Sequence, residues 1–240
     1  MYSGDAQRTR TARITQRERQ VESVTTPQPD TAVSSRRQET RTRLLDAAVE
    51  VFAEEGLQGA AVETISARAG FTRGAFYSNF ASKEELFLEL LRREFDRRAA
   101  DLAEKALALE PTLRENAGCV SPPQAAAYIA EFFAPSPDAT AWFVLEAEFL
   151  LLAMRDPSMA PGHHEITDNF YQSIAGNVER VLAAAGRRFV IPVAHTMPVL
   201  SSVYEQALRT SALTDTEIAP TFDQLSDRLA ELVFALTEEI

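Results

Sequence analysis

The sequence predicts an all-α protein with an N-terminal three-helix helix-turn-helix head and a larger C-terminal helical bundle. Apolar residues recur at helical spacing through most of the chain. Residues 62–85 have the pattern of two short helices separated by a glycine, followed by the start of a third. No period-2 pattern of useful length is present, and the one strand-like run, FVIPV at residues 189–193, is interrupted by proline.

Composition divides the chain into three predicted parts. Residues 1–35 are expected to form a disordered, arginine-rich arm, residues 36–82 the helix-turn-helix domain, and residues 83–240 the helical body. The arm has almost no apolar residues to bury and carries five arginines between Arg8 and Arg19. It either contacts phosphates or the minor groove of DNA, or it is a terminus without a role, and the sequence leaves both open.

The first helix of the head is predicted from about Gln38 to Glu55. Gly56 follows at the position where helices commonly end. The apolar stripe of this helix, expected to cover the other two helices of the head, consists of Leu44, Leu45, Ala48, Val49 and Phe52.

Two short helices follow, on either side of Gly70. Glycine adopts the left-handed conformation without a Cβ clash, so the first of them is expected to end there. Thr72 can cap the second helix through its hydroxyl. Phe76 and Phe80 lie one helical turn apart, and both are expected to pack inward.

The outward side of this second short helix suits the major groove of DNA. Arg73 has a forked donor for guanine or phosphate, while Gly74 and Ala75 leave room for the base edges. Hydroxyl and amine groups beside them suit phosphate oxygens. The predicted DNA-binding residues are Arg41, Thr72, Arg73, Gly74, Ala75, Tyr77, Ser78, Asn79 and Lys83. The alternative is purely structural, since any small helical domain contains short helices and a glycine turn.

The run AVETISARAGFTRGAFYSNFASKEELF resembles the DNA-binding signature of the TetR-type (tetracycline-repressor family) transcriptional regulators. The resemblance covers roughly residues 40–91 and is carried by Ile65, Ala67, Ala69, Gly70, Gly74, Tyr77, Phe80, Lys83, Glu84 and Leu86. It implies a homodimeric regulator whose residues 83–240 bind a ligand and dimerise. Such a protein would be a repressor that leaves a palindromic operator when a small molecule binds. Ala61 departs from the pattern, because the family often has a capping threonine there.

Charge is distributed unevenly along the chain, whose net charge is −11. Residues 1–98 have a net charge of +1, and residues 99–240 a net charge of −12. A near-neutral head on an acidic body is compatible with DNA that approaches from one end. The single cysteine, Cys119, excludes an intrachain disulfide and favours a cytoplasmic location. No run is apolar enough for a membrane span or a secretory signal.

The body is predicted to be entirely helical. Ser82 and Glu85 form a capping box at the start of a long helix that ends near Leu109, before Pro111. This helix would join head and body and transmit movement between them. A polar linker, residues 111–123, leads to helices predicted at about residues 122–133, 137–155, 161–185, 193–213 and 220–239.

The last two helices carry wide apolar faces, which suit a four-helix bundle made by two subunits. The alternative is that these faces complete the core of one subunit. The predicted dimer-interface residues are Leu200, Val203, Tyr204, Ala207, Phe222, Leu225, Leu229, Leu232 and Leu236.

Aromatic residues with interleaved polar groups are concentrated in the middle of the body, as is typical of small-molecule sites. The predicted pocket residues are Tyr128, Phe132, Trp142, Phe143, Glu146, Phe149 and Phe170. Glu146 lies on an apolar face, where a carboxylate needs a partner. The ligand is expected to be a largely apolar small molecule, although the same aromatic residues would also make an ordinary core.

No cofactor, metal site or enzymatic activity is expected. His163 and His164 are adjacent, so they cannot form a metal-binding pair one turn apart. Phosphate-binding glycine loops and nucleophile elbows are missing from the sequence. The alternative function is a helical dimeric ligand-binding or scaffolding protein with little specific DNA binding, which Ala61 favours.

Overall fold

A computed structural model describes residues 29–214 and 218–240, with side chains for residues 35–214 and 225–240. The described residues are almost entirely helical, which confirms the all-α prediction. The helices are α1 (Pro29–Gly59), α2 (Val62–Arg68), α3 (Arg73–Tyr77), α4 (Lys83–Glu115), α5 (Pro122–Phe132), α6 (Ala139–Arg155), α7 (Ala160–Ala184), α8 (Val193–Thr214) and α9 (Ile218–Ala235), and the two short strands are β1 (Arg187–Phe189) and β2 (Thr237–Glu239).

Three element boundaries differ from the sequence-based predictions. α1 begins at Pro29, inside the segment predicted to be a disordered arm, whose residues 1–28 lie outside the described residues. α4 continues through Pro111 to Glu115 instead of ending before the proline. Pro111 is exposed, so water can solvate the carbonyl that loses its N–H partner. Residues 237–239 form a strand where a helix was predicted.

The head is a three-helix unit whose core lies under α1. Leu44, Ile65 and Phe76 are fully buried, and Phe52 and Phe80 nearly so. α2 lacks a side-chain cap, because Ala61 occupies its N-cap position.

Head and body share one hydrophobic core. Aromatic rings form a chain across it. Phe52 of α1 contacts Phe87 of α4 with ring centroids 6.1 Å apart. Phe87 stacks on Phe149 of α6 at 5.3 Å, and Phe149 stacks on the ring of His163 of α7 at 6.0 Å. A displacement of α6 or α7 would therefore change the packing against α1 through the intervening ring of Phe87.

A polar contact joins α6 to the end of α1. Gly56 has φ of 73° and interrupts α1, as predicted. The helical turn after it begins with the N–H groups of Leu57 and Gln58, which donate to Glu148 Oε2 at 2.7 Å and 3.3 Å. A carboxylate of the body therefore caps a helical turn of the head.

The body contains a two-stranded antiparallel ribbon. β1 pairs with β2, with Arg188 opposite Glu238. Arg187 lies over the ring of Phe234 at 4.5 Å and donates to the carbonyl of Thr237 at 3.0 Å. The ribbon thereby attaches the end of α9 to the turn between α7 and α8.

The apolar faces of α8 and α9 pack against each other within one protomer. Their side chains form a shared cluster, in which Leu200, Ala207, Leu225 and Leu229 are buried and Val203, Tyr204, Leu232 and Leu236 are partly buried. The side chain of Phe222 lies outside the described residues. Burial inside the protomer accounts for these stripes, so the dimer interface remains a prediction.

Candidate nucleic-acid interface and ligand cavity

α3 is a five-residue helix that is held from one side and exposed on the other. Thr72 caps it by accepting the N–H of Ala75 on Oγ1 at 3.2 Å. Phe76 anchors its inner side in the core of the head. Arg73, Gly74 and Tyr77 are exposed on its outer side.

Two arginines of α1 fix the turns before and after α3. Arg43 donates to the carbonyl of Ala69 at 2.8 Å and lies 4.6 Å over the ring of Phe71. Arg41 donates to the carbonyl of Asn79 at 2.6 Å and lies 4.3 Å over the ring of Phe80. Arg41 was predicted to contact DNA, which stays a prediction; in the structure its guanidinium holds the turn after α3.

Further predicted DNA-binding residues also have contacts within the head. Lys83 Nζ donates to the carbonyls of Gln58 and Ala60 at 2.9 Å and 3.1 Å. Ser78 Oγ and Asn79 Nδ2 each donate to the carbonyl of Ala75 at 2.8 Å. These polar groups satisfy the carbonyls where α1 and α3 end.

Arg73 is the most exposed cation of the α3 surface. Its side chain is 62% exposed and forms an ion pair of 2.6 Å with Glu63 of α2. Its guanidinium lies 5.4 Å over the ring of Tyr77, and the hydrogen bond to Tyr77 raises the pKa of Arg73. An exposed ion pair of this kind contributes little to stability, so Arg73 can exchange Glu63 for another acceptor.

Neither the backbone conformation nor the contacts within the chain require glycine at position 74. A Cβ at Gly74 would meet only Thr72 Oγ1, at an ordinary contact distance of 3.7 Å. Gly70, by contrast, has φ of +75° and needs to be glycine for its backbone. The space at Gly74 opens outward, beside Arg73 and Tyr77.

The body contains a cavity of about 140 Å³, partly open to solvent and lined by residues of α4 to α9. Of the predicted pocket residues, Phe132, Phe143, Glu146 and Phe170 line it. Tyr128 lines a second, apolar cavity of about 90 Å³. Phe149 is fully buried in the core shared with the head, and Trp142 packs against that core. The seven residues therefore do not form one pocket, because Tyr128 of α5 lines the second cavity and α6 directs Trp142 and Phe149 to the core shared with the head.

Carboxylates face the cavity from two helices. Glu146 of α6 lies 2.8 Å from His163 Nε2. Glu205 of α8 accepts the hydroxyl of Ser201 at 3.1 Å. Burial raises the pKa of Glu205, Ser201 lowers it, and the nearby charge of Glu146 raises it again.

Basic groups occupy the α4 side of the cavity, where each has an acidic partner. Arg97 and Arg98 both bind the buried carboxylate of Glu94 at 2.7 Å. Lys105 pairs with Asp101 at 2.9 Å. Arg97 also lies 3.7 Å from Asp138, so the three cations on this side are matched by three carboxylates.

Sequence reasoning missed Glu148 and Glu205. Each is a single carboxylate in an amphipathic helix, a pattern that usually marks a solvated position. Tyr204 was assigned to a dimer interface, which stays a prediction, and within the protomer it lines the cavity beside Glu205. A carboxylate within an otherwise apolar run, such as Glu148 in EFLLL, was the available signal.

No described helix is sufficiently long and apolar to cross a membrane. Within residues 29–214 and 218–240, no cluster of three or more His, Cys, Asp or Glu side chains could hold a metal ion.

Residues 44–90 match the family model described as bacterial regulatory proteins, tetR family. The repressor AcnR of Corynebacterium diphtheriae is 41% identical over 78 residues, which are 32% of this chain and 39% of that protein. The activator FasR of Mycolicibacterium smegmatis is 43% identical over 60 residues, 25% of this chain and 27% of that protein. The chain thus spans well under half the length of these curated relatives.

The crystal structure of a TetR-family regulator from Mesorhizobium loti matches with a TM-score of 0.63 at 15% identity, and covers 85% of this chain and 99% of that chain. At this identity the match shows the fold alone. In the head, α3 is exposed on one side and the turns before and after it are held by hydrogen bonds. Helix-turn-helix DNA-binding proteins present their second helix in this arrangement. Residues 44–90, which contain α2 and α3, are thus similar to the tetR family of bacterial regulatory proteins, as the resemblance predicted.

Proposed function

We propose that this chain is a ligand-responsive homodimeric transcriptional repressor that binds a palindromic operator through α3. The observation that supports this most is the outer surface of α3, where Arg73, Gly74 and Tyr77 are exposed while polar residues beside the helix hold its two ends. An arginine beside a glycine can approach base edges and donate two hydrogen bonds to guanine.

A second copy would supply the second reading helix. In a two-fold dimer, the half-sites would lie roughly 34 Å apart, one turn of DNA, or a little more. Support for self-association comes from α8, where Val199 is 48% and Leu213 is 79% exposed. Curated relatives of the helix-turn-helix domain include a repressor and an activator, and repression is the direction we propose.

The cavity in the body would receive the ligand, and α6 would carry its effect to the head. α6 contributes Glu146 to the cavity and Glu148 to the end of α1. A ligand that binds better when α6 is displaced would favour a head orientation that no longer fits both half-sites.

A gel-shift titration of the full chain against the DNA upstream of its own gene tests DNA binding. We expect a specific shift whose affinity falls steeply with salt, and no comparable shift with a scrambled sequence of equal length. Equal affinity for both sequences would favour the alternative, a helical ligand-binding or scaffolding dimer with little specific DNA binding.

A further inference from the structure

The cavity beside α8 has the size of one aromatic ring and aromatic walls. Its volume of about 140 Å³ is close to that of an engineered apolar cavity, about 150 Å³, that binds benzene. Phe95 and Phe170 lie in its wall with ring centroids 4.8 Å apart. Phe143, Tyr171 and Tyr204 add further ring surface.

The negative charge of this wall is less completely compensated than the positive charge. The three basic side chains on α4 are matched by three carboxylates, those of Glu94, Asp101 and Asp138. Glu205 is hydrogen-bonded by Ser201, and the charges of Arg209 and His163 lower its pKa without either residue forming an ion pair with it. Glu146 has only an imidazole, that of His163, at 2.8 Å. An anionic ligand would have to break ion pairs, whereas a cation would meet carboxylates.

One further polar atom in the wall lacks a partner. Thr167 Oγ1 is buried and has no hydrogen-bond partner among the described residues, and Thr167 lines the same cavity. Thr167 Oγ1 is closed off from water, so a ligand N–H group could donate to it only if binding moved the wall aside, and that bond would remove the cost of a buried hydroxyl without a partner.

We propose that this cavity binds a small organic ammonium ion carrying an aromatic or similarly flat apolar group, with its charge near Glu146 and Glu205. The proposal rests on the proposed function, since it specifies the chemical class of the ligand that the regulator senses. Aromatic rings stabilise a desolvated cation through their faces, and the two carboxylates supply the opposite charge.

The test is a calorimetric titration of the full-length chain, without DNA, with three probes of similar size and different charge. The probes are benzylammonium, neutral benzyl alcohol and benzoate. We expect benzylammonium to bind about tenfold more tightly than benzyl alcohol, and benzoate to bind most weakly. Equal or tighter binding of benzyl alcohol or benzoate, or no measurable binding of benzylammonium, overturns the proposal.

Glu205→Gln and Glu146→Gln should each reduce the affinity for benzylammonium about tenfold and leave that for benzyl alcohol unchanged. The matched control is Glu179→Gln, on the exposed side of α7, which should change neither affinity. Loss of affinity for both probes would indicate a structural role for the carboxylates and count against the proposal. If a glutamine variant does not fold, the ranking of the probes on the parent chain decides.

The proposed ligand class and the proposed regulatory function are tested by different experiments. A chain that shifts its operator but does not prefer benzylammonium overturns the ligand class alone. A chain that prefers benzylammonium but binds scrambled DNA as well as its own upstream DNA overturns the regulator alone.

Discussion

Glu148 Oε2 accepts the backbone N–H of Leu57 at 2.7 Å, although the two residues are 91 positions apart in sequence. Glu148 belongs to the body and Leu57 to the head. The contact is therefore both a helix cap and a connection between the two parts. Glu148 lies two residues from Glu146, which lines the cavity, so α6 contributes one carboxylate to the cavity and one to the contact with the head.

Replacing Glu148 by alanine should destabilise the protein by about 1 kcal/mol, the usual cost of losing an N-cap. Glu148→Gln should cost less, because an amide oxygen can still accept the N–H of Leu57. Urea unfolding measures both values. Glu179→Ala, which changes an exposed glutamate of α7, should have little effect. Equal losses for the alanine variants at 148 and 179 would contradict the assigned cap.

Gly74→Ala should separate folding from DNA binding. The free chain has room for the methyl group, and alanine favours a helix over glycine by up to about 1 kcal/mol, so stability should be unchanged or higher. Operator affinity should fall, because the methyl group occupies the space that faces DNA. Gly176→Ala is the control, since nothing lies within 4 Å of its added Cβ. It should leave the gel shift unchanged, and a normal shift with Gly74→Ala would contradict the docking surface.

Arg73→Ala should weaken operator binding by about 1–3 kcal/mol if Arg73 contacts a base. Glu63→Gln should strengthen binding, because it removes the carboxylate that holds Arg73 in the free protein. Glu54→Gln serves as the control for net charge. Glu54 is 56% exposed, against 58% for Glu63, and pairs with Arg68 instead. Identical affinities for the two glutamine variants would show that only overall charge matters.

Lys83→Met should lower the stability of the protein by about 1 kcal/mol, because two carbonyls at the end of α1 lose a charged donor that is only partly buried. The dependence of operator affinity on salt should keep its slope. A slope reduced by about one in a salt titration would instead identify Lys83 as a phosphate contact.

Glu205→Gln should stabilise the protein near neutral pH and have little effect in acid. The pKa of Glu205 is raised in the folded state, chiefly by burial. The stability contributed by its protonated form is fully present below the unfolded pKa and is lost as pH rises through the folded pKa. Thermal unfolding of the parent chain and of the Glu205→Gln variant, from acid to neutral pH, is the measurement. A stability difference that does not depend on pH would exclude this ionisation as its cause.

The head was predictable because its signals are local. A glycine at φ of +75°, a threonine cap three residues before its donor, and apolar residues one turn apart all act within a few positions. The sequence did not indicate which polar side chains of the head would form hydrogen bonds within it. Arg41 reaches Asn79 across 38 positions, and nothing near Arg41 in sequence indicates that partner.

The apolar stripes of α8 and α9 illustrate a different limit of sequence-based prediction. Apolar periodicity reports that a face is buried, and it is the same whether the covering helix belongs to the same chain or to another. Pocket residues on α6 were ambiguous for a related reason. Phe143 and Phe149 both lie on apolar faces, yet one lines the cavity and the other packs under the head.

The ribbon between β1 and β2 also constrains the order in which the chain can fold during synthesis. Residues 187–189 must wait for residues 237–239 before their strand can pair. The core of the three-helix head, in contrast, is made by residues that the ribosome delivers much earlier. Domains generally fold as units and in order of synthesis. A nascent chain would therefore carry a formed head while α9, which contributes Leu229 to the cavity wall, is still being made.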